Sequence, residues 1–246
     1  MELLYLEETQ AAAFDKEFHS PAEMNAKYAR FEQLAAGRPL RILDIGGGNG
    51  RFVDKLLDRF PDAQATVLDV SSTLLAANKP HPRKTLVMAS VDTLPGGLNG
   101  ETFDVITMNW LLHHLVGPTH EKCTENCISL LDKCRALLTP NGNIVVAENM
   151  YDGFAGTNIP SWLIYGITRI KAPLFVSVSR RFFNTAGVGV CFRSRGSWRR
   201  LFRQANYATA HEDDGYIWKM TPVRRLSYAL LGIQHVCHRH FYLRAQ

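Results

Sequence analysis

An aspartate followed by closely spaced glycines is the part of this 246-residue sequence that most directly indicates chemistry. Residues 43–50 have the sequence LDIGGGNG, and its acid and glycines are Asp44, Gly46, Gly47, Gly48 and Gly50. Glycines at this density weaken the interior of a strand or helix, so the backbone must turn tightly there or lie against a bound group. A glycine-rich turn between a strand and a helix presents backbone N–H groups that bind phosphates and nucleotides.

Short apolar runs alternate with helical segments around this turn. Strands are predicted at RILDI (41–45), ATVLDV (65–70), TLVMAS (85–90), FDVITMN (103–109) and NIVVAEN (143–149). Helices are predicted over 6–18, 22–36, 51–60, 71–78 and 119–138. This alternation is typical of an α/β fold with a doubly wound, mostly parallel sheet.

The spacing of the glycines separates two kinds of nucleotide site. The dinucleotide fingerprint GxGxxG fits Gly46 and Gly48 but meets Arg51 at its third position, which disfavours a nicotinamide oxidoreductase. The pattern D-x-G-x-G-x-G fits from Asp44 to Gly50. With this pattern, residues 41–148 resemble the class I S-adenosylmethionine-dependent methyltransferases.

The resemblance implies a Rossmann-like class I methyltransferase fold, with a seven-stranded, mostly parallel sheet in the order 3-2-1-4-5-7-6 and helices on both faces. It implies that the cofactor is S-adenosylmethionine (SAM) and the product S-adenosylhomocysteine (SAH). Asp44 would hold the cofactor's amino group, Asp69 the ribose hydroxyls and Asp92 the adenine amine. The implied cofactor-binding residues are Asp44, Gly46, Gly47, Gly48, Gly50, Asp69, Val70, Val91, Asp92 and Asn109.

Titratable side chains follow strands four and five, on the side where the methyl group would lie. The catalytic candidates are His114, Glu148 and Tyr151, and His113 also qualifies by position. A base helps when the acceptor is a hydroxyl or a protonated amine, and an imidazole titrates near neutrality. Two alternatives stay open: the paired histidines are structural, or alignment of the reactants alone supplies the catalysis.

Other sequence patterns argue against nucleobase amine methylation and against a metal site. After strand four the sequence is NWLL (109–112), without the Asn/Asp-Pro-Pro-aromatic run of nucleobase amine methyltransferases. Cys123, Cys127 and Cys134 share one helical face and are expected in the core. His238 and His240 should face one side of the last strand and Cys237 the other. No metal site is predicted from these spacings.

The net charge of +5 is concentrated in one segment. Residues 153–211 contain no acid, and their nine Arg and Lys residues interleave with aromatic residues. Residues 151–196 are predicted to be a substrate lid, since a long interruption of an α/β pattern is commonly functional. The lid fits a small-molecule pocket best, and the alternatives are a docking face for an acidic carrier protein or a membrane, or an RNA-binding surface.

One domain is predicted, with an N-terminal helical cap (1–37), a SAM-binding core (38–150), the lid (151–196) and a C-terminal helix and strands (197–246). The odd count of five cysteines favours a reduced, cytoplasmic setting, and neither a signal peptide nor a membrane span is predicted. The predicted function is SAM-dependent methylation of a small molecule, at oxygen or nitrogen, with a place in secondary metabolism. The alternatives are an RNA or protein methyltransferase and a SAM-binding protein without turnover.

Overall fold

The computed structural model describes residue 3 and the ranges 19–98, 100–172, 187–215 and 222–246. The predicted helix over 6–18 lies outside these residues. So do five members of the basic and aromatic lid segment, namely Phe175, Arg180, Arg181, Phe182 and Phe183.

Seven strands form one mixed sheet in the order β3-β2-β1-β4-β5-β7-β6. The strands are β1 (Arg41–Ile45), β2 (Gln64–Asp69), β3 (Lys84–Met88), β4 (Phe103–Asn109), β5 (Leu138–Gly153), β6 (Tyr207–Asp214) and β7 (Ile233–Ala245). Strands β1 to β5 pair in parallel, whereas β7 runs antiparallel between β5 and β6. The predicted fold class and strand order are confirmed.

The helices cover both faces of this sheet. They are α1 (Pro21–Ala35), α2 (Arg51–Arg59), α3 (Ser72–Ala76), α4 (His120–Arg135), α5 (Ile159–Thr168), α6 (Arg195–Gln204) and α7 (Pro222–Leu230). Alternate residues of β1 enter opposite cores: Ile42 packs with Phe31 of α1, and Leu43 packs in the cluster that contains Leu130 of α4 and Trp198 of α6. Both faces of the central strands are therefore buried, as in other parallel sheets.

Local sequence explains where several helices begin. Ser20 accepts a hydrogen bond from the Glu23 N–H, and Glu23 accepts one from the Ser20 N–H, so α1 starts with a capping box. Thr119 caps α4 through the Lys122 N–H. The predicted bounds of these helices hold within three residues.

Three elements differ from those predicted. Strand β5 spans Leu138–Gly153 rather than 143–149, because Leu138 pairs with Phe103 of β4 and β7 pairs with the strand as far as Gly153. Helix α4 accordingly ends at Arg135, three residues before its predicted end. Helix α5 lies inside the predicted lid and was missed, although Pro160 suits its first turn.

Candidate active site

The glycine turn after β1 has the backbone geometry that its composition requires. Gly46, Gly48 and Gly50 have φ angles of 71°, 53° and 71°, a region that side chains other than glycine rarely adopt. A Cβ atom on Gly47 would lie 2.6 Å from Asp44 Oδ2. The glycines therefore let the turn close over the carboxylate, and they leave the backbone accessible to a bound group.

Asp44 lies at the end of β1 and is almost completely buried. Its Oδ1 accepts a hydrogen bond of 2.6 Å from Thr107 Oγ1 and a longer one of 3.4 Å from Asn109 Nδ2, both from β4. Burial raises the pKa of Asp44 to about 7, and the Thr107 hydrogen bond and the charge of Lys27 oppose that rise. A cationic ligand group at this carboxylate would stabilise its ionised form.

Asp69 ends β2 and braces the glycine turn from the neighbouring strand. Its Oδ2 accepts from the Gly48 N–H at 2.9 Å, and its Oδ1 accepts from the Ser71 N–H at 2.8 Å. These two hydrogen bonds fix the carboxylate at the end of β2, beside the glycine turn. The next side chain, Val70, is exposed beside this carboxylate and offers an apolar surface.

A short 3-10 helix, Val91–Thr93, carries the third predicted acid. The Asp92 N–H donates to Ser90 Oγ at 3.1 Å. From α4, Lys133 Nζ donates to the carbonyl oxygens of Val91 and Asp92, at 3.2 and 2.6 Å. The backbone around Asp92 is thus fixed from both sides, at the same edge of the sheet as Asp44 and Asp69.

The chain turns sharply where β4 ends at Asn109. Trp110 has a φ of 52°, which is unusual for a bulky residue, and its N–H donates to the Ala147 carbonyl at 2.8 Å. Its ring packs between His19, at 4.6 Å between centroids, and His238, at 5.3 Å. Backbone strain of this kind is concentrated at binding and catalytic sites.

A buried histidine–glutamate pair joins the segment after β4 to β5. His113 Nδ1 lies 2.6 Å from Glu148 Oε2, and the His113 N–H donates to Glu148 Oε1 at 3.3 Å. Glu148 is fully buried. Because a carboxylate faces Nδ1, it favours the tautomer with the proton on Nδ1 and leaves the Nε2 lone pair for another group. The pair has the arrangement of a general base and its orienting acid.

The structure places His113, not the predicted His114, beside Glu148. The His114 ring packs on His113 at 4.2 Å, and burial together with the His113 ring lowers its pKa well below the usual range. His113 and His114 are adjacent in the 3-10 helix Leu112–His114, and the sequence alone does not say which of the two pairs with Glu148 of β5.

Tyr151 is connected to His113 by ring contacts through Phe192. Its N–H donates to the Arg193 carbonyl, and its ring lies 4.5 Å from Phe192. Phe192 lies 4.5 Å from the His113 ring. Tyr151 therefore belongs to the aromatic wall beside His113 and Glu148.

Helix α1 brings a buried charge that the sequence analysis missed. Lys27 is fully buried, with its ammonium 5.2 Å from the centroid of the Phe52 ring. Burial lowers the pKa of Lys27 to about 8, and the charges of Glu23 and Asp44 oppose that change. The spacing of Glu23 and Lys27, four residues apart on the face that also buries Met24, is a signal that was available in the sequence.

Three buried histidines lie near Glu23 and Lys27: His19, His238 and His240. His238 and His240 of β7 are buried, and His238 Nδ1 lies 3.7 Å from Glu23 Oε1. Burial lowers the pKa of His19 and of His240 to about 2, so both rings are neutral. As predicted, Cys237 faces the opposite core. Across the residues that the structure describes, no group of three His, Cys, Asp or Glu residues has metal-binding geometry.

Comparisons with known proteins agree with this geometry. Residues 43–144 match the model of a methyltransferase domain family. Over 88 residues the chain is 34% identical to the 23S rRNA (guanine(748)-N(1))-methyltransferase of Streptomyces fradiae, covering 35% of this chain and 31% of that one. Over 129 residues it is 26% identical to caffeic acid 3-O-methyltransferase 3 of Populus kitakamiensis, covering 49% and 28%.

The fold is also that of solved proteins. The pyocyanin biosynthetic protein PhzM superposes with a TM-score of 0.54 at 17% identity, covering 91% of this chain and 56% of that one. The chain thus spans about a third of the length of the two curated relatives and about half of this structural neighbour. The strand order and the acid-glycine turn agree with the matched domain. Residues 43–144 are thus identified as a methyltransferase domain, and the chain has the Rossmann-like fold of this solved relative.

Proposed function

We propose that this protein transfers the methyl group of SAM to a hydroxyl of a small molecule. The observation that carries the proposal is the arrangement at one edge of the sheet, with a cofactor cradle around Asp44 and the His113–Glu148 pair beyond the end of β4. Bound SAM supplies a methyl group on a positively charged sulfur. Residues of the protein bind the cofactor and accept the proton of the hydroxyl.

The residues of the cradle fit the cofactor. The buried Asp44 carboxylate matches an amino group, because charge-assisted hydrogen bonds favour an ionised partner. Asp69 places a carboxylate at the end of β2, where it can accept from adjacent hydroxyls, and Val70 beside it presents an exposed apolar side chain. Glycine at position 47 lets the turn pack directly on the Asp44 carboxylate, since a Cβ there would lie 2.6 Å from Asp44 Oδ2.

His113 and Glu148 supply the proton transfer. His113 Nε2 accepts the proton of the acceptor hydroxyl, and Glu148 stabilises the imidazolium through Nδ1. Because Glu148 is completely buried, the imidazole is held in one orientation and one tautomer. Phe192 and Tyr151 form an apolar wall beside His113, which suits an aromatic or otherwise apolar acceptor.

The small-molecule class has support beyond the site. The caffeic acid relative is named for transfer to oxygen of a small aromatic acid, whereas the Streptomyces relative is named for transfer to ribosomal RNA. The paired base and its apolar wall favour the first class of acceptor. A reduced, cytoplasmic setting, as predicted above from the cysteine count, is part of the proposal.

Calorimetry with SAH tests the cofactor, with NADH and NADPH as controls. Micromolar binding of SAH alone is expected, and absence of SAH binding by the folded protein would overturn the proposal. Transfer from labelled SAM to a panel of hydroxylated aromatic compounds, with ribosomal RNA as a parallel acceptor, then tests the acceptor. Label found only in RNA would refute the small-molecule assignment.

A further inference from the structure

Large apolar side chains are exposed on two helices next to each other at one side of the molecule. On α5 and its flanks they are Phe154, Ile159, Trp162, Leu163 and Ile170, and on α7 they are Leu226 and Leu230. A scattered exposed leucine is normal on a protein surface. Several large apolar side chains exposed on neighbouring helices instead indicate an interaction site.

Helix α5 is apolar on every side. Its sequence, IPSWLIYGIT, contains no charged residue. The inner face buries Ile164 and Tyr165, while the outer face carries Ile159, Trp162 and Leu163 at helical spacing. A helix that is apolar all round is ordinarily covered on both sides by protein or lipid.

Helices α5 and α7 share one apolar cluster beneath this surface. Ile164 of α5 packs in the cluster that contains Val190 and Ile233, and Tyr228 of α7 packs against it. Tyr151 and Phe192 belong to the same group. Phe192 in turn contacts His113, so the exposed surface lies directly behind the aromatic wall of the site.

The two segments that carry this surface, residues 154–171 and 222–230, contain basic residues and no acid. Helix α7 contains no acid, and the only acids after residue 152 in the sequence are Glu212, Asp213 and Asp214. Lys171 follows Ile170, and Arg225 precedes Leu226; both cations are exposed. Glu212 is engaged by Arg195 and Arg199 of α6, which neutralises it.

We propose that the outer faces of α5 and α7 form a docking surface for an anionic lipid membrane. The apolar side chains enter the headgroup region, and Lys171 and Arg225 contact the lipid phosphates. Apolar area and basic charge act together in such binding. This mode is interfacial, since no helix within the described ranges has the length and apolar content to cross a bilayer.

Flotation with lipid vesicles tests the docking surface directly. The probes are vesicles of phosphatidylcholine alone and vesicles in which a third of the lipid is phosphatidylglycerol. We expect the full chain to float with the anionic vesicles and to be released by high salt. The double variant Leu163→Ser, Leu226→Ser should weaken partitioning at least tenfold, because each removed leucine lowers apolar burial in the interface.

Leu86→Ser is the matched control, since Leu86 is 43% exposed and Leu163 is 42% exposed. Leu86 lies on β3, at the opposite end of the sheet, so its variant should float like the unchanged protein. Equal partitioning of the double variant and the unchanged protein would overturn the proposal, as would absence of flotation.

Light scattering tests whether a second copy of the chain, rather than a membrane, covers this surface. A concentration-dependent dimer that the double variant disrupts, in a protein that does not float, would assign the surface to a second copy of the chain and refute the lipid proposal. Calorimetry with SAH on the same samples separates this result from the proposed function, because the cradle does not contain α5 or α7.

Discussion

Replacing Asp44 by asparagine removes a charge whose ionisation the fold itself opposes. The carboxylate is buried at the end of β1, its pKa is raised from 3.8 to about 7, and Thr107 donates to it at 2.6 Å. Asparagine keeps the size and an accepting oxygen for Thr107. Asp44→Asn therefore isolates the charge from the shape of the cradle.

The magnitude follows from the fraction of Asp44 that is ionised. With a pKa of about 7, about half of the molecules carry the charge at pH 7 and about one tenth at pH 6. If the amino group of SAH binds only the ionised form of Asp44, the apparent dissociation constant of SAH rises as the ionised fraction of Asp44 falls. The unchanged protein should then bind SAH about fivefold more weakly at pH 6 than at pH 7. Asp44→Asn should bind more weakly at pH 7 and show no such pH dependence.

Ionisation of the buried Asp44 should also lower the free energy of unfolding of the protein. Between pH 4 and 7 the unfolded chain has lost the Asp44 proton while the folded protein retains it, so the free energy of unfolding falls as pH rises through this window. A shift of about three pKa units corresponds to about 4 kcal/mol. Asp44→Asn should therefore raise the free energy of unfolding by up to about 4 kcal/mol at pH 7, and by less than half of that at pH 5.

Two measurements check this reasoning. Calorimetry with SAH at pH 6 and pH 7 gives the affinity, and urea unfolding at pH 5 and pH 7 gives the stability. Asp58→Asn, at an exposed position of α2, is the control and should change neither quantity. An affinity of the unchanged protein that does not vary with pH, or an Asp44→Asn variant that binds SAH as tightly, would refute the assignment of Asp44 to the cofactor's amino group.

Three further substitutions probe the rest of the site. Asp69→Ala should weaken SAH binding more than about tenfold, because it removes a charged acceptor, and unchanged calorimetric affinity would contradict the ribose assignment. His113→Ala should lower kcat at least about 100-fold with an unchanged Kd for SAH, while His114→Ala should have a much smaller effect. Retained turnover in His113→Ala would leave alignment of the reactants as the mechanism. Lys27→Met removes a positive charge that lowers the pKa of Asp44, so the loss of SAH affinity should begin at a higher pH; an unchanged pH profile would exclude that coupling.

The parts of the fold that depend on local sequence were predictable. The bounds of β1 and β4 match the prediction, because each is a short apolar run with turn residues on both sides. The glycine turn was also predictable from local sequence, because closely spaced glycines indicate a tight turn. Gly46, Gly48 and Gly50 all have a positive φ there. Predicted site residues in this region come together at one edge of the sheet.

Other features depend on contacts that no short stretch of sequence encodes. Strand β5 extends to Gly153 because β7, about 90 residues later, pairs with it. The choice between His113 and His114 depends on one turn of 3-10 helix. The spacing of Lys27 from Glu23 places it on the buried face of α1, but its full burial depends on the packing of α1 on the sheet.

The position of β7 affects how the chain can fold during synthesis. Strand β6 precedes β7 in the sequence, yet β6 pairs with β7 and is separated from β5 by it. Strands β1 to β5 can therefore assemble as soon as they leave the ribosome, whereas β6 waits with unpaired backbone groups until β7 inserts. During that interval the exposed edge of β5 is open to pairing with other chains, so a nascent chain stalled before residue 233 should be especially prone to aggregate.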